Sequence, residues 1–540
     1  MTMPNPEQKF NSREHTLEFK TSLRSHTIHL NFGRVTTESQ PNYQKYMYAE
    51  PIFVTSFIDN PVPDPYGDNY LNVLSLFMVG EKERAIVFKL PPGFKKYYED
   101  LEVIKPDQLI EVTPEMPQEG ESIKLGYPNG DVLTIYTQRE KAKKCNQKPE
   151  NRVLISNFIN KNILNNAQEV GMMTLDQPHS NLTNNKDLFR KGGIPIDGGG
   201  TYNIFPGITI PEDVSSLEKA MPIIPEELKN AEHGVWLKLA SGSGGDTVKY
   251  IKELSQESFE EARKYLRGEI LKAYKMGDFG QSGEEAWPEN KLSPIGSSLI
   301  IESDARNHAL LDPGTKPFPY AEGPILLGSN FFITSADGSH ETFGYYEQLT
   351  DNGSFNGSRK HHPDEETQKL IDEQTALVAQ QAITDGYYGP QGLDYFIIVN
   401  KETKKPQVVL LEKNSRLPIS AYAEMAARKL KINNFTNINV TFPKPISSFK
   451  DFEEATGELM FKKGNKNGVF PLASRTIVGE GDQALASRHI KILILGTPQE
   501  QQQQIEKLQK KGVILGIHGP DFGEAIKEVA KENVIYNIKM

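Results

Sequence analysis

Leu410-Leu411-Glu412-Lys413-Asn414-Ser415-Arg416 places a carboxylate, an amide and a guanidinium at every second position. Alternate residues of a β-strand share one face, so Glu412, Asn414 and Arg416 are predicted to project together. The two leucines ahead of Glu412 indicate a strand that starts in a packed interior. A carboxylate and an amide oxygen are hard ligands suited to Mg²⁺. A guanidinium beside them suits a phosphate or an acyl phosphate. A metal-and-phosphate site on one strand points to nucleotide chemistry.

The rest of the chain bounds that reading. Its 540 residues are 37% hydrophobic, enough for several cores, and the length predicts about three or four domains. Sixty-one basic residues against 71 acidic ones give a formal net charge of −10, which argues against a nucleic-acid or anionic-membrane surface. The single cysteine, Cys145, sits in a Lys-rich stretch and rules out an intrachain disulfide or a Cys-based zinc site. Residues 1–11 are polar and lack the apolar core of a signal peptide, and no run reaches the length of a membrane span. The expectation is a cytoplasmic protein that binds neither nucleic acid nor membrane.

Short apolar runs mark out an N-terminal α/β domain over residues 1–175. Its predicted strands are Ile52–Phe57, Leu71–Val79, Arg84–Leu90, Val132–Tyr136 and Val153–Phe158, with no GxGxxG fingerprint among them. Further on, Val235–Leu239 and Thr247–Ile251 read as strands joined by a Gly/Ser-rich turn. Ser258–Met276 reads as a helix with Ser258 and Glu261 as its capping box. Residues 278–298 and 304–324 read as linker and flap. Leu326–Thr334 and Glu341–Leu349 form a predicted hairpin around Asp337-Gly338. Glu365–Asp385 is a helix, Leu393–Val399 and Val408–Asn414 are strands, and Ala421–Leu430 is a helix. Residues 436–540 read as a further small α/β unit.

Several side chains along this path suit the same chemistry. Lys238 shares a strand face with Trp236 and runs straight into Ser241-Gly242-Ser243-Gly244-Gly245, a turn whose bare amides can wrap polyphosphate oxygens. It is not a Walker A loop, since GxxxxGK[ST] is absent; an ordinary flexible hairpin with an exposed lysine fits these residues as well. Asp394, at the start of the strand preceding the Glu412 strand, approaches Glu412 and Asn414 if the two strands pair. Alone, Asp394 reads as a local cap, Lys186 as a solvated helix residue, and Glu302 as a hinge or a strand terminus. His361-His362 point to opposite faces of a strand and read as part of a polar loop.

In this order the residues resemble the ATP-grasp family. The resemblance rests on Asn185-Lys186 before a short helix, Lys238 with its Gly/Ser loop, Ile300-Ile301-Glu302, Gly392-Leu393-Asp394 and Glu412-Lys413-Asn414-Ser415-Arg416. It covers roughly residues 180–430. Gln348 with Gly357 is similar to segments of the peptide-ligase branch, including the ligase of pheganomycin biosynthesis. The family implies an α/β and α+β multidomain fold: a pre-ATP-grasp domain over 1–175, a first lobe over 176–298, a second lobe over 299–435, and the C-terminal unit 436–540. It implies ATP and Mg²⁺, or Mn²⁺ in its place, as cofactors. Lys186, Lys238 and the Ser241–Gly245 loop would hold the phosphates, and the backbone of Ile301, Glu302 and Ser303 would meet the adenine edge. Asp394, Glu412 and Asn414 would bind the metal. Lys238 and Arg416 would act in catalysis, Arg416 by steadying the substrate carboxylate. The implied activity is carboxylate–amine ligation on an amino acid or peptide. The alternatives are another phosphoryl-transfer reaction, by a kinase or carboxylase, and a regulatory or scaffold protein that binds nucleotide without turnover. The C-terminal unit is open to either role, capping the site or forming a homodimer.

Overall fold

The structure is a computed structural model. It describes residues 16–19, 28–31, 50–54, 68–80, 83–113, 152–156, 169, 173–174, 186–195, 202–211, 213–214, 216–240, 248–276, 287–294, 298–311, 325–334, 339–351, 354–385, 389–479, 483–516 and 535–537. Its elements build a mixed α/β fold around three principal sheets.

The N-terminal sheet is parallel, ordered Leu109–Val112, Arg84–Phe88, Glu50–Val54, Arg152–Ser156, Met173–Thr174. Two expectations change here. Leu71–Val79 is not a strand: Asp68–Phe77 winds as a 3₁₀ helix whose Leu74, Leu76 and Phe77 are fully buried. A continuous apolar run buried on all sides carries no period that separates helix from strand. Leu109–Val112 is a strand that its mixed sequence, LIEV, did not announce. Val132–Tyr136 lies outside the described residues.

The second sheet is antiparallel, ordered Gly207–Ile210, Leu299–Ser303, Val235–Leu239, Val248–Ile251. Val235, Leu237 and Leu239 are buried, whereas Trp236 and Lys238 lie on the other, half-buried face. The helix Gln256–Met276 covers the apolar side with Phe259, Ala262 and Leu266. Its N-terminal bonds lie three residues earlier than predicted. Ser255 N donates to Ser258 Oγ at 2.9 Å and Ser258 N donates to Ser255 Oγ at 3.2 Å, so Ser255 and Ser258 form the reciprocal pair. Trp287 and Leu292 fill the same core, so that part of the expected 278–298 linker is packed structure.

The third sheet has eleven strands. Its main path runs Gly468–Ser474, Ser487–Leu495, Phe435–Ile446, Ser354–His361, His340–Asp351, Ile325–Thr334, Gly389–Val399, Pro406–Asn414, Asn203–Ile204, Ile194–Pro195. The predicted boundary at residue 436 therefore does not separate two sheets: Phe435–Ile446 pairs with Ser354–His361 on one side and Ser487–Leu495 on the other. Residues 186–195 and 202–204 likewise belong to this sheet's body. Phe189, Tyr202 and Ile204 pack with Tyr395, Val408 and Leu410.

The N-terminal domain shares a core with the C-terminal strands. Tyr97 stacks on Phe449 at 4.3 Å between ring centroids, and Tyr98 Oη donates to the Pro471 carbonyl. The same interface holds two ionisable groups, a buried Glu83 and a half-buried Lys429. Lys429 Nζ donates to the carbonyls of Leu76 (3.3 Å) and Val103 (2.8 Å). Burial lowers its pKa to about 7, against the pull of Glu83. Burial also raises Glu83 to about 7, against the bond from the Gly80 amide and the charge of Lys429. The two shifts have opposite consequences. Glu83, raised, contributes stability present below its unfolded pKa and lost as pH climbs to about 7. Lys429, depressed, contributes stability present above its unfolded pKa and lost as pH falls to about 7. Stability is therefore expected to pass through a local minimum near pH 7, deep by on the order of a few kcal/mol. Thermal melts from pH 5 to 10 should show it. The double variant Glu83→Gln/Lys429→Met should flatten it, and a wild-type profile without the dip would refute the assignment.

Candidate functional site: a carboxylate–lysine cleft between two sheets

The Asp394 strand (Gly389–Val399) and the Glu412 strand (Pro406–Asn414) pair antiparallel, with Asp394 opposite Glu412 and Gly392 opposite Asn414. A bulge follows Asp394, where Leu411 is the extra residue, so the register changes at the site itself. Asn414 Nδ2 donates to Asp394 Oδ2 at 3.0 Å and reaches Glu412 Oε1 at 3.5 Å. Gln348, from the strand His340–Asp351, donates to the other Asp394 oxygen at 2.6 Å. The predicted alternation also holds for the intervening lysine: Lys413 is buried on the opposite face, 3.5 Å from Asp385.

The short helix Lys186–Gly192 lays Lys186 against this cluster, its Nζ 3.1 Å from Glu412 Oε2. The Lys186 amide donates to the Ala240 carbonyl, which ties the helix to the end of the Lys238 strand. The two carboxyls respond differently to these surroundings. Burial, then the neighbouring Glu412, hold the Asp394 carboxyl well above the usual carboxylate range. Burial also opposes ionisation of Glu412, but Lys186, with Arg416 and Lys238 behind it, outweighs that and holds Glu412 below its ordinary value.

On the four-stranded sheet, Lys238 forms an ion pair with Glu302 of the strand Leu299–Ser303. Arg190, one turn along the helix from Lys186, takes the other oxygen of the same carboxylate. Sequence reasoning missed Arg190. The only signal for it was its i+4 spacing from Lys186, which puts both cations on one helix face. The strand carrying Ile301, Glu302 and Ser303 does not offer the backbone edge expected for an adenine. It runs in the middle of its sheet, with Gly207–Ile208 on one side and Val235–Leu237 on the other, and Ser303 N donates to the Pro206 carbonyl. Those backbone groups are engaged in the ladders. Nearby, Phe205, Ala305, Ala309, Ile398 and Val409 form a small buried apolar cluster, with Phe396 and Leu411 partly buried against it. Phe396 lies two residues beyond Asp394, so an apolar wall adjoins the carboxylates. Ser241, Gly242, Ser243, Gly244 and Gly245 lie outside the described residues.

Arg416 follows the Glu412 strand and precedes the helix Ile419–Lys429. Its guanidinium has no hydrogen-bond partner among the described residues, yet it is close enough to lower both Asp394 and Glu412. The donor set suits a small hard cation. Asp394 and Glu412 supply oxygens, Asn414 would add its own on turning the amide whose Nδ2 faces them, and no group of three or more His, Cys, Asp or Glu residues forms among the described residues. An ion held by two carboxylates and an amide keeps positions for water and phosphate oxygens, which is the habit of Mg²⁺.

No protein-family model matches this chain, and no curated protein matches it by sequence. Its fold is similar to solved structures at low identity. One is a biotin carboxylase–β,γ-ATP complex from Campylobacter jejuni, with 12% identity, a TM-score of 0.48, and coverage of 88% of this chain and 96% of that one. Another is the N5-carboxyaminoimidazole synthase of Aspergillus clavatus with ADP and an aminoimidazole ribonucleotide, with 10% identity, a TM-score of 0.44, and coverage of 86% and 98%. A third is the biotin carboxylase domain of the Hydrogenobacter thermophilus 2-oxoglutarate carboxylase, with 11% identity, a TM-score of 0.45, and coverage of 88% and 95%. Likeness at this level is one of outline and carries no inference about chemistry.

Proposed function

We propose that this protein is an ATP-dependent carboxylate–amine ligase of ATP-grasp type, forming an amide or peptide bond through an acyl phosphate. The observation that supports it best is the convergence of Lys186 with Glu412, Asp394 and Asn414 in one cluster, with Lys238 of the four-stranded sheet close enough to lower Glu412. Phosphoryl transfer needs positioning and charge neutralisation more than covalent help from the protein. Such a site is built from lysines, carboxylates and an arginine.

In this reading the partly buried Phe396 and Leu411 receive the purine, and Lys186 and Lys238 receive the phosphates. The Ser241–Gly245 loop adds its amides. Asp394, Glu412 and Asn414 would hold Mg²⁺ or Mn²⁺, which when bound neutralises charge on the β- and γ-phosphates. Arg416 orients the substrate carboxylate. One of its oxygens attacks the γ-phosphorus as the bond to the ADP oxygen breaks. The amine nitrogen then attacks the acyl carbon, loses a proton, and phosphate leaves. The acid and amine are an amino acid or peptide, following the Gln348/Gly357 resemblance to the peptide-ligase branch. Gln348 donates to Asp394 and so stands beside the proposed metal ligands.

The test is phosphate release from ATP and Mg²⁺ across a panel of amino acids and dipeptides. Release that needs both an acid and an amine is expected, and EDTA should remove it entirely. Phosphorylation of a hydroxyl substrate, or bicarbonate-dependent release without an amine, would replace this reading with a kinase or a carboxylase. Nucleotide binding with no turnover on any pair would favour a regulatory role.

A further inference from the structure

Glu302 holds two cations at once. Lys238 takes Oε1 and Arg190 takes Oε2, and the side chains are 14%, 8% and 4% exposed for Lys238, Arg190 and Glu302. The cations come from different bodies: Lys238 lies beside Glu302 in the four-stranded sheet, whereas Arg190 rides on the helix packed against the large sheet. The remaining Arg190 nitrogen donates to the Phe205 carbonyl at 3.0 Å. A Cβ at position 207 would overlap the Arg190 guanidinium and the Ile301 carbonyl, so Gly207 leaves the slot this arginine fills.

This arrangement has a consequence for Lys238. To reach a phosphate, the lysine must leave Glu302. A buried carboxylate stripped of its only partner is strongly disfavoured. With Arg190 in place the carboxylate is never stripped. We propose that Arg190 is a positioning residue that keeps Glu302 paired while Lys238 moves to a nucleotide's phosphates. The proposal rests on the reading of Lys238 as a phosphate ligand. Arg190 itself touches neither substrate nor metal; it sets how readily Lys238 changes partner.

The test is calorimetric binding of β,γ-methylene ATP with Mg²⁺, and of adenosine, to the full-length protein and its variants. Arg190→Gln should weaken the triphosphate by on the order of 30- to 100-fold and leave adenosine unchanged. Adding Glu302→Gln to that variant should restore triphosphate affinity to within about tenfold of wild type, because no carboxylate then competes for Lys238. A merely structural arginine would give the opposite pattern: adenosine and triphosphate would weaken together, and removing a second buried partner would worsen both. Either that pattern or wild-type affinity in Arg190→Gln overturns the proposal. If Arg190→Gln does not fold, Arg190→Lys carries the test. It keeps a cation on Glu302 and should bind triphosphate within about threefold of wild type, whereas a loss matching Lys238→Gln would refute the idea. Absence of nucleotide binding by the wild type would instead sink the ligase reading. Binding that ignores Lys238→Gln would remove the premise that Lys238 meets phosphate.

Discussion

Glu412→Ala is expected to lower kcat/KM by at least on the order of a thousandfold while leaving the protein folded. Three roles meet on that side chain. It faces Lys186 at 3.1 Å, it sits opposite Asp394 in the ladder, and it lies within reach of the Asn414 amide. Its removal would take away one of two carboxylates available to a metal ion and would break the Lys186–Glu412 ion pair. Mg²⁺ bound through a single carboxylate and an amide has lost much of its charge complement. Raising Mg²⁺ should recover little, because phosphoryl transfer depends on where the ion sits more than on how much is bound. Stability should fall without unfolding the protein: Glu412 is 26% exposed, so water can fill its place, but Lys186 is 9% exposed and loses this ion pair. Steady-state phosphate release and a thermal melt together check this. A folded variant with wild-type turnover would remove the metal-site assignment, and with it the ligase proposal.

The site was legible in the sequence wherever local periodicity decides direction. Glu412 and Asn414 share a face and Lys413 turns to the other because a strand alternates, and nothing in the tertiary fold overrides that. The pairing of Asp394 with Glu412 needed only the short polar turn Lys401–Pro406 between two strands. What stayed hidden depends on contacts between distant segments. Arg190 and Glu302 are 112 residues apart, and neither carries a local mark of the other. The central position of the Leu299–Ser303 strand was equally invisible: a buried apolar run announces burial on both faces but not which neighbours occupy its edges. The pairing of Phe435–Ile446 stayed hidden for a related reason: one of its partners is Ser354–His361, on the far side of two helices and two strands. The capping pair at Ser255 and Ser258 shows a smaller limit: two serines three residues apart offer the motif in two frames.

Arg416→Lys should be nearly as damaging as Arg416→Ala, each lowering kcat/KM for the acid substrate by on the order of 10²- to 10⁴-fold while nucleotide affinity stays within about threefold. The argument turns on geometry. Among the described residues the Arg416 guanidinium has no hydrogen-bond partner, unlike Lys186, Lys238 and Arg190, each of which is held by a carboxylate. A cation left unpaired beside Asp394 and Glu412 is available to an incoming anion, and its backbone is fixed by the Arg416 N to Asn414 carbonyl bond before the next helix begins. A carboxylate poised to attack phosphorus must present one oxygen in line and have the other held. A planar fork does this with two parallel bonds, which an ammonium cannot reproduce. The loss should therefore appear in kcat/KM for the acid and in kcat, whereas KM for ATP, set by the lysines, stays put. Near wild-type kcat/KM in Arg416→Lys would show that only charge is needed there. A variant that lost ATP affinity in proportion would move Arg416 from the acid to the phosphates, and the carboxylate-orienting role would have to be sought on another side chain.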